Sequence, residues 1–113
     1  MRIFQHHVLA VAPRTAQAVA AQTLAAATPR AAAAGGRVFG VLTPMIGLSN
    51  NHVVMLSEFA DEATARGADL LAGLPVGVER HEFWEPDPRP TAEETFPEAE
   101  GFFSHRWFDC AAE

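Results

Sequence analysis

An Ala-rich stretch, residues 13–34, separates two β-rich segments and limits the folds that this chain can adopt. The flanking segments are RIFQHHVLAV (2–11) and RVFGVLTPMIG (37–47). Ala is the strongest helix former and Pro suits a first helical turn, so residues 13–34 are predicted to form a helix. Pro29 should end or kink this helix, and the Gly-Gly pair that follows should close it. The pattern predicts a strand–helix–strand unit.

The rest of the chain continues the alternation of strands and helices. After the turn residues LSNN, the segment HVVMLSEFA (52–60) is predicted to be a third strand. Asp61 suits an N-cap, and the apolar spacing that follows it predicts a second helix over 62–74. Residues 75–100 are rich in Pro and acids and are expected to be irregular. GFFSHRWFDC (101–110) is predicted to be the fourth strand.

This order predicts an α+β fold with the βαββαβ, ferredoxin-like topology in a single domain, residues 1–113. Right-handed crossovers would give an antiparallel four-stranded sheet in the order 4-1-3-2, with both helices on one face. The other face would then lack a covering layer. A chain of 113 residues with such a face is expected to need a partner.

The predicted fourth strand indicates what that partner is. Side chains of a strand alternate between faces, so Phe103, His105 and Trp107 would point one way, and Phe102 and Phe108 the other. Large apolar groups at both parities indicate a sheet covered on both faces. A homodimer that stacks two sheets face to face would meet this requirement.

Composition excludes several function classes. The net charge is −6, and residues 79–113 contain ten acids but three bases, which argues against nucleic acid or an anionic membrane surface as a partner. Every basic residue is Arg, so Schiff-base chemistry on Lys is excluded. A single Cys cannot form an intramolecular disulfide, and no window approaches a membrane span of about 20 apolar residues. Cytoplasmic localisation is the expectation.

The stretch FGVLTPMIGLSNNHVVMLSEF (39–59) carries a family resemblance. It resembles the NIPSNAP-like domains of the dimeric α+β barrel superfamily through a Gly-led strand, a turn and a Val-rich strand: Gly40, Thr43, Gly47, Leu48, Asn50 or Asn51, and Val53. The family often has a His-Leu-Trp run after the Val, where this chain has MLSEF. The resemblance implies a homodimeric barrel, in a superfamily that includes monooxygenases, cyclases and haem-handling proteins.

Histidines supply the candidate chemistry. If β-strands 1 and 3 pair, a His–Glu pair inside the barrel could abstract a proton beside a carbonyl, because the carboxylate fixes the tautomer of the imidazole. The candidate catalytic residues are His7, His52, His105 and Glu58, and the candidate substrate-binding residues are Phe103, Trp107 and Leu56. Two or three of the His could instead bind a metal or haem iron. There is no zinc-binding spacing and no phosphate loop, so neither a metal nor a cofactor is predicted. There is also no Gly-x-Ser-x-Gly motif, so a serine hydrolase is not expected.

Two functions remain open at this point. The first is a barrel that binds or transforms a small, apolar, oxygen-bearing molecule, as a cofactor-independent monooxygenase or a cyclase/isomerase. The second is a non-catalytic structural or regulatory homodimer whose barrel is filled by side chains. Structural alternatives also exist for single residues: Glu58 could pair with an Arg, His81 could be solvated, and Phe83-Trp84 could hold the acidic connection against the barrel.

Overall fold

A computed structural model describes residues 2–44 and 49–85 of the 113-residue chain. Four strands form one antiparallel sheet in the order β2-β3-β1-β4, together with two helices. The elements are β1 (Ile3–Ala10), α1 (Ala16–Ala33), β2 (Arg37–Leu42), β3 (His52–Phe59), α2 (Glu62–Gly67) and β4 (Gly77–Trp84). The predicted α+β class with a four-stranded antiparallel sheet is therefore confirmed.

β1 lies between β3 and a second neighbour, and that second neighbour is not the strand that the sequence predicted. Residues 101–110 were expected there and lie outside the described residues, while β4 occupies the position and pairs with β1 along its length. The prediction that residues 75–100 are irregular is wrong for 77–84. This strand is rich in charges and its first five residues are exposed, which is typical of an edge strand that must not attract a further strand.

The first helix differs from its prediction at two points. It begins at Ala16 rather than Pro13, because Arg14 has a φ of 65° and cannot continue a helix. It does not end at Pro29 but continues to Ala33. Near the proline, Thr28 Oγ1 donates a hydrogen bond to the Leu24 carbonyl at 2.6 Å. Gly35, with a φ of 78°, closes the helix as predicted.

The second helix has its predicted start but is shorter than predicted. Asp61 is the N-cap, and its Oδ1 accepts a hydrogen bond from the Thr64 backbone N–H at 2.7 Å. The helix ends at Gly67 rather than at residue 74, since Asp69 has a φ of 46°. Arg30 of α1 holds the turns that follow by donating to the carbonyl of Leu70 at 3.0 Å.

Both helices pack on the same face of the sheet, the helix face. Residues spaced by four place one stripe of α1 against it: Val19, Thr23, Ala27 and Ala31. Ala27 and Ala31 contact Met55 and Phe59 of β3, and Ala65 of α2 joins the same cluster. Gly36 is required here, because a Cβ on it would overlap the Phe59 ring. Neither of these two helices is long and apolar enough to cross a membrane within the described ranges.

The opposite side of the sheet, the open face, contacts neither described helix. Cross-strand register places the following residues on it: Phe4, His6, Val8 and Ala10 of β1, His52, Val54, Leu56 and Glu58 of β3, and Trp84 of β4. Aromatic rings pair across it, with Phe4 and Phe39 centroids 5.2 Å apart and His6 stacked on Trp84 at 4.4 Å. The open face is therefore apolar and aromatic along its middle, where His6, Val8 and Val54 are only 0%, 3% and 5% exposed in the single chain.

Candidate functional site

The pleat of the sheet divides the predicted catalytic set between two faces. His7 is opposite Met55 and lies on the helix face, while His52 and Glu58 lie on the open face. His7 and Glu58 therefore lie on opposite faces of the sheet and cannot meet. Leu56 is on the open face, half-buried, opposite His6. The remaining predicted site residues lie outside the described residues: His105, Phe103 and Trp107.

Glu58 is an ion-pair residue, as the structural alternative predicted. It is 8% exposed, and its carboxylate lies 3.4 Å from an Arg2 nitrogen and 3.5 Å from an Arg37 nitrogen. These three side chains line a cleft of about 210 Å³ beside the turn that ends α1. Because Glu58 and His52 lie at opposite ends of β3, Glu58 cannot orient His52.

His52 has a different carboxylate partner. Its Nε2 lies 2.6 Å from Oε2 of Glu79 on β4. The His52 side chain is 15% exposed and that of Glu79 is 56% exposed, so the pair is at the end of the sheet and open to solvent on the Glu79 side. His52 therefore pairs with Glu79, which was not among the predicted site residues, rather than with Glu58.

The fold allows this contact because the residues next to His52 across the sheet are small. His52 and Glu79 belong to strands on either side of β1, where Ala10 pairs with His52 and with Gly77. A methyl group and a hydrogen leave space for the imidazole to reach across β1. The β1–β4 register also shifts between Val8 and Leu9, and such a β-bulge re-aims the side chains of the bulged strand.

Ser49 completes a chain of three polar groups. Its Oγ lies 2.8 Å from His52 Nδ1, and it also accepts a hydrogen bond from the Asn51 backbone N–H at 3.3 Å. An ionised carboxylate can only accept, so we assign the imidazole proton to Nε2, which donates to Glu79. His52 Nδ1 is then the acceptor of the Ser49 hydroxyl proton. The arrangement is a hydroxyl–imidazole–carboxylate relay, the constellation that activates a hydroxyl for proton transfer or attack.

A second polar cluster lies on the helix face around His7. The rings of His7 and His81 stack in parallel with centroids 4.2 Å apart. Gln5 links the cluster, since its Oε1 accepts from His81 Nε2 at 2.8 Å and its Nε2 donates to Ser57 Oγ at 3.2 Å. Within residues 2–44 and 49–85, no hydrogen-bond partner reaches the buried His7 Nδ1. This cluster is a packed polar network rather than an open site.

Burial keeps His7 neutral. Desolvation, followed by the neighbouring His81 and then His6, lowers the pKa of His7 from 6.5 to about 4. Desolvation also lowers the pKa of His81, with Arg66 acting in the same direction and Glu62 against it. His81 is exposed, in keeping with the solvated alternative, but its ring has three partners that the sequence did not indicate: Gln5, His7 and Phe83.

Two residues of the relay were missed at the level of sequence. Ser49 was assigned to a turn, and Glu79 to an irregular connection. The signal for β4 was the run VERHEFW, which ends in two aromatic residues and lies between Pro75 and Pro86. Its acids concealed a strand because edge strands carry charges.

The described ranges contain no group of three or more His, Cys, Asp or Glu side chains that could hold a metal ion. Comparison of the chain with protein-family models, with curated proteins and with solved structures finds no match. The NIPSNAP-like assignment therefore stays a prediction from residues 39–59.

Proposed function

We propose that the protein binds a small, apolar, oxygen-bearing molecule on the open face and transfers protons on it with the His52–Glu79 pair, as an isomerase or cyclase would. The observation that carries this proposal is the 2.6 Å contact between His52 Nε2 and Glu79. That contact fixes Nδ1 as the base atom, directed at Ser49 and away from the carboxylate. A substrate proton reaches Nδ1 directly or through the Ser49 hydroxyl.

The apolar part of the substrate would lie on the open face next to this pair. Val54 follows His52 at the next position on the same face and pairs across the sheet with Leu42 of β2 and with Val8 of β1. Val8 and Val54 are 3% and 5% exposed and Leu42 is half-buried, so Leu42 is the member of this apolar set that offers hydrocarbon contact. The proposal therefore requires a ligand with one oxygen-bearing end at His52 and an apolar body.

A second copy of the chain is the proposed cover of the open face, in the manner of the dimeric α+β barrels. The rim of this face carries three Arg and three Glu side chains, so two copies related by a two-fold axis would not repel each other: Arg2, Arg37, Arg80, Glu58, Glu79 and Glu82. Charge-balanced, self-complementary surfaces are what a two-fold interface needs.

Sedimentation velocity tests the dimer. The native chain should sediment at twice its own mass, and Leu56→Arg should produce monomers, because a guanidinium on the open face cannot be buried without a partner. Leu24→Arg is the matched control, since Leu24 is an exposed leucine on α1, and it should remain dimeric. A monomeric native chain at micromolar concentration would exclude the barrel.

Proton exchange tests the chemistry. The α-protons of cyclohexanone in D₂O are followed by ¹H NMR, with the native protein expected to exchange them at least about 10-fold faster than His52→Gln or Glu79→Gln. His81→Gln, which removes a His outside the relay, is the control and should keep the native rate. Exchange no faster than in buffer would contradict the catalytic role.

Such a result would favour the alternative of a non-catalytic homodimer with a filled barrel. The burial of Val8 and Val54, at 3% and 5% exposure, is the observation that supports this alternative. A dimer without proton exchange would select it.

A further inference from the structure

We propose that Ser49 is a nucleophile and that the protein cleaves carboxylic esters through an acyl group carried on Ser49 Oγ. This inference rests on the proposed function, because it uses the same His52–Glu79 pair as the base. It goes further by assigning a covalent step and a substrate class to the site.

The hydrogen bonds around Ser49 form a chain in which each group donates to the next, from the Asn51 N–H to the Glu79 carboxylate. The Asn51 N–H donates to Ser49 Oγ at 3.3 Å, the Ser49 hydroxyl donates to His52 Nδ1 at 2.8 Å, and His52 Nε2–H donates to Glu79 at 2.6 Å. This direction follows from the tautomer assigned above, and His52 Nδ1 also lies 3.4 Å from the Ser49 backbone carbonyl oxygen, a longer contact than that to the hydroxyl. The Ser49 proton therefore already points at the atom that would receive it during attack.

Turn stabilisation alone does not account for this arrangement. A serine that accepts from the backbone N–H two residues later is a common turn motif, and it explains the contact between Ser49 and Asn51. It does not explain why Glu79, which is distant in sequence and belongs to β4, contacts His52 Nε2. Three groups from a loop, β3 and β4 converge in the order that an activated serine requires.

Burial and neighbouring side chains define the substrate. Ser49 is exposed and His52 is half-buried at the end of the sheet, so an ester can approach without opening the fold. The half-buried Leu42, which pairs with Val54 on the open face, suits a short hydrocarbon acyl chain. The substrate class is therefore esters of short, apolar carboxylic acids.

The reaction balances with water as the co-reactant. Ser49 Oγ bonds to the ester carbonyl carbon while its proton moves to His52 Nδ1, and the ester C–O bond breaks as the departing alcohol takes that proton. Water then adds to the acyl carbon and gives a proton to Nδ1. The bond to Ser49 Oγ breaks, the serine regains its proton, and a carboxylic acid leaves. No oxidant or reductant is needed.

The test uses p-nitrophenyl butyrate, a fluorophosphonate probe and the full chain. Native protein should release p-nitrophenolate at a kcat/KM at least about 100-fold above that of Ser49→Ala. Intact-mass and peptide analysis should find one phosphonyl group on Ser49 and none on Ser57, the matched control serine, which is buried on the helix face. Glu79→Gln should slow labelling at least about 10-fold, and circular dichroism should show that each variant is folded.

The outcomes separate this inference from the proposed function. If the fluorophosphonate leaves Ser49 of the native protein unmodified, Ser49 is not a nucleophile and the inference is wrong. If Ser49→Ala keeps native esterase activity that His52→Gln loses, the nucleophile is the imidazole; the acyl-serine step is excluded while the proposed base stands. If cyclohexanone exchange is absent but Ser49 is labelled, the acyl step stands and the isomerase chemistry does not.

Discussion

Acidification should destabilise this protein through His7. The folded protein keeps His7 neutral because burial, with His81 and His6 nearby, lowers its pKa from 6.5 to about 4. The unfolded chain would regain the ordinary value and bind a proton as the pH falls through 6.5. A group with a lowered folded-state pKa of this kind contributes stability that is present above the unfolded pKa and is lost below it. The stability is therefore lost progressively from pH 6.5 towards pH 4.

The size of the loss follows from the two pKa values. Proton linkage with one group gives a decrease of about 2 kcal/mol in the free energy of unfolding between about pH 7.5 and about pH 5. His81 acts in the same direction, since its pKa is also lowered by burial. A loss of this size is a large fraction of the roughly 5–15 kcal/mol that stabilises a typical domain.

Urea unfolding at fixed protein concentration, followed by circular dichroism over this pH range, measures the effect. His7→Phe keeps a ring against His81 but cannot bind a proton, so its stability should fall by about 2 kcal/mol less than that of the native protein over the same interval. In ¹H NMR spectra of the native protein, the chemical shifts of the His7 ring protons at about pH 6 should equal those at about pH 7.5, because the folded protein keeps this ring neutral. Equal slopes for the two proteins, or a His7 ring that titrates at its ordinary value, would refute the reasoning.

Three further substitutions test the fold and the site. Gly36→Ala should lower the free energy of unfolding by about 1–3 kcal/mol in urea, because the new methyl overlaps the Phe59 ring, and unchanged stability would contradict the close packing. Asp61→Ala should cost about 1 kcal/mol in the same assay by removing the acceptor of the Thr64 N–H, while Asp61→Ser should retain most of it. Ala10→Leu should fold but lose at least about 10-fold in fluorophosphonate labelling, because a larger side chain separates the histidine from its glutamate. Native labelling in that variant would show that the small residue is not needed.

Local patterns predicted the elements whose signals are strong. An Ala-rich run and a following Gly-Gly pair defined α1, and β-branched residues defined β1 and β3. Pro29 was given too much weight: its missing N–H removes one hydrogen bond, but the helix around it packs on the sheet through Ala27 and Ala31, and packing outweighs the local preference. Asp61 was identified because an N-cap is a local hydrogen bond.

For the site, the sequence indicated the residue types but not which side chains would meet. Adjacent residues of one strand point to opposite faces, so His6 and His7 must lie on different sides of the sheet. Which face each occupies depends on the register between strands, and the contact between His52 and Glu79 depends in addition on a bulge in β4 and on the small residue opposite His52. These are long-range properties that no single segment encodes.

The position of β1 has a consequence for the order of folding. β1 is the first strand along the chain, yet its partners are β3 and β4. Its backbone N–H and C=O groups therefore cannot form their sheet hydrogen bonds until residues 52–59 and then 77–84 have been synthesised. In contrast, β2 and β3 are close in sequence and can pair early. During translation β1 would remain an unpaired, apolar strand while most of the described chain emerges, and such contacts between distant segments form slowly. Chaperone dependence of newly made protein should therefore be greatest before β4 has left the ribosome.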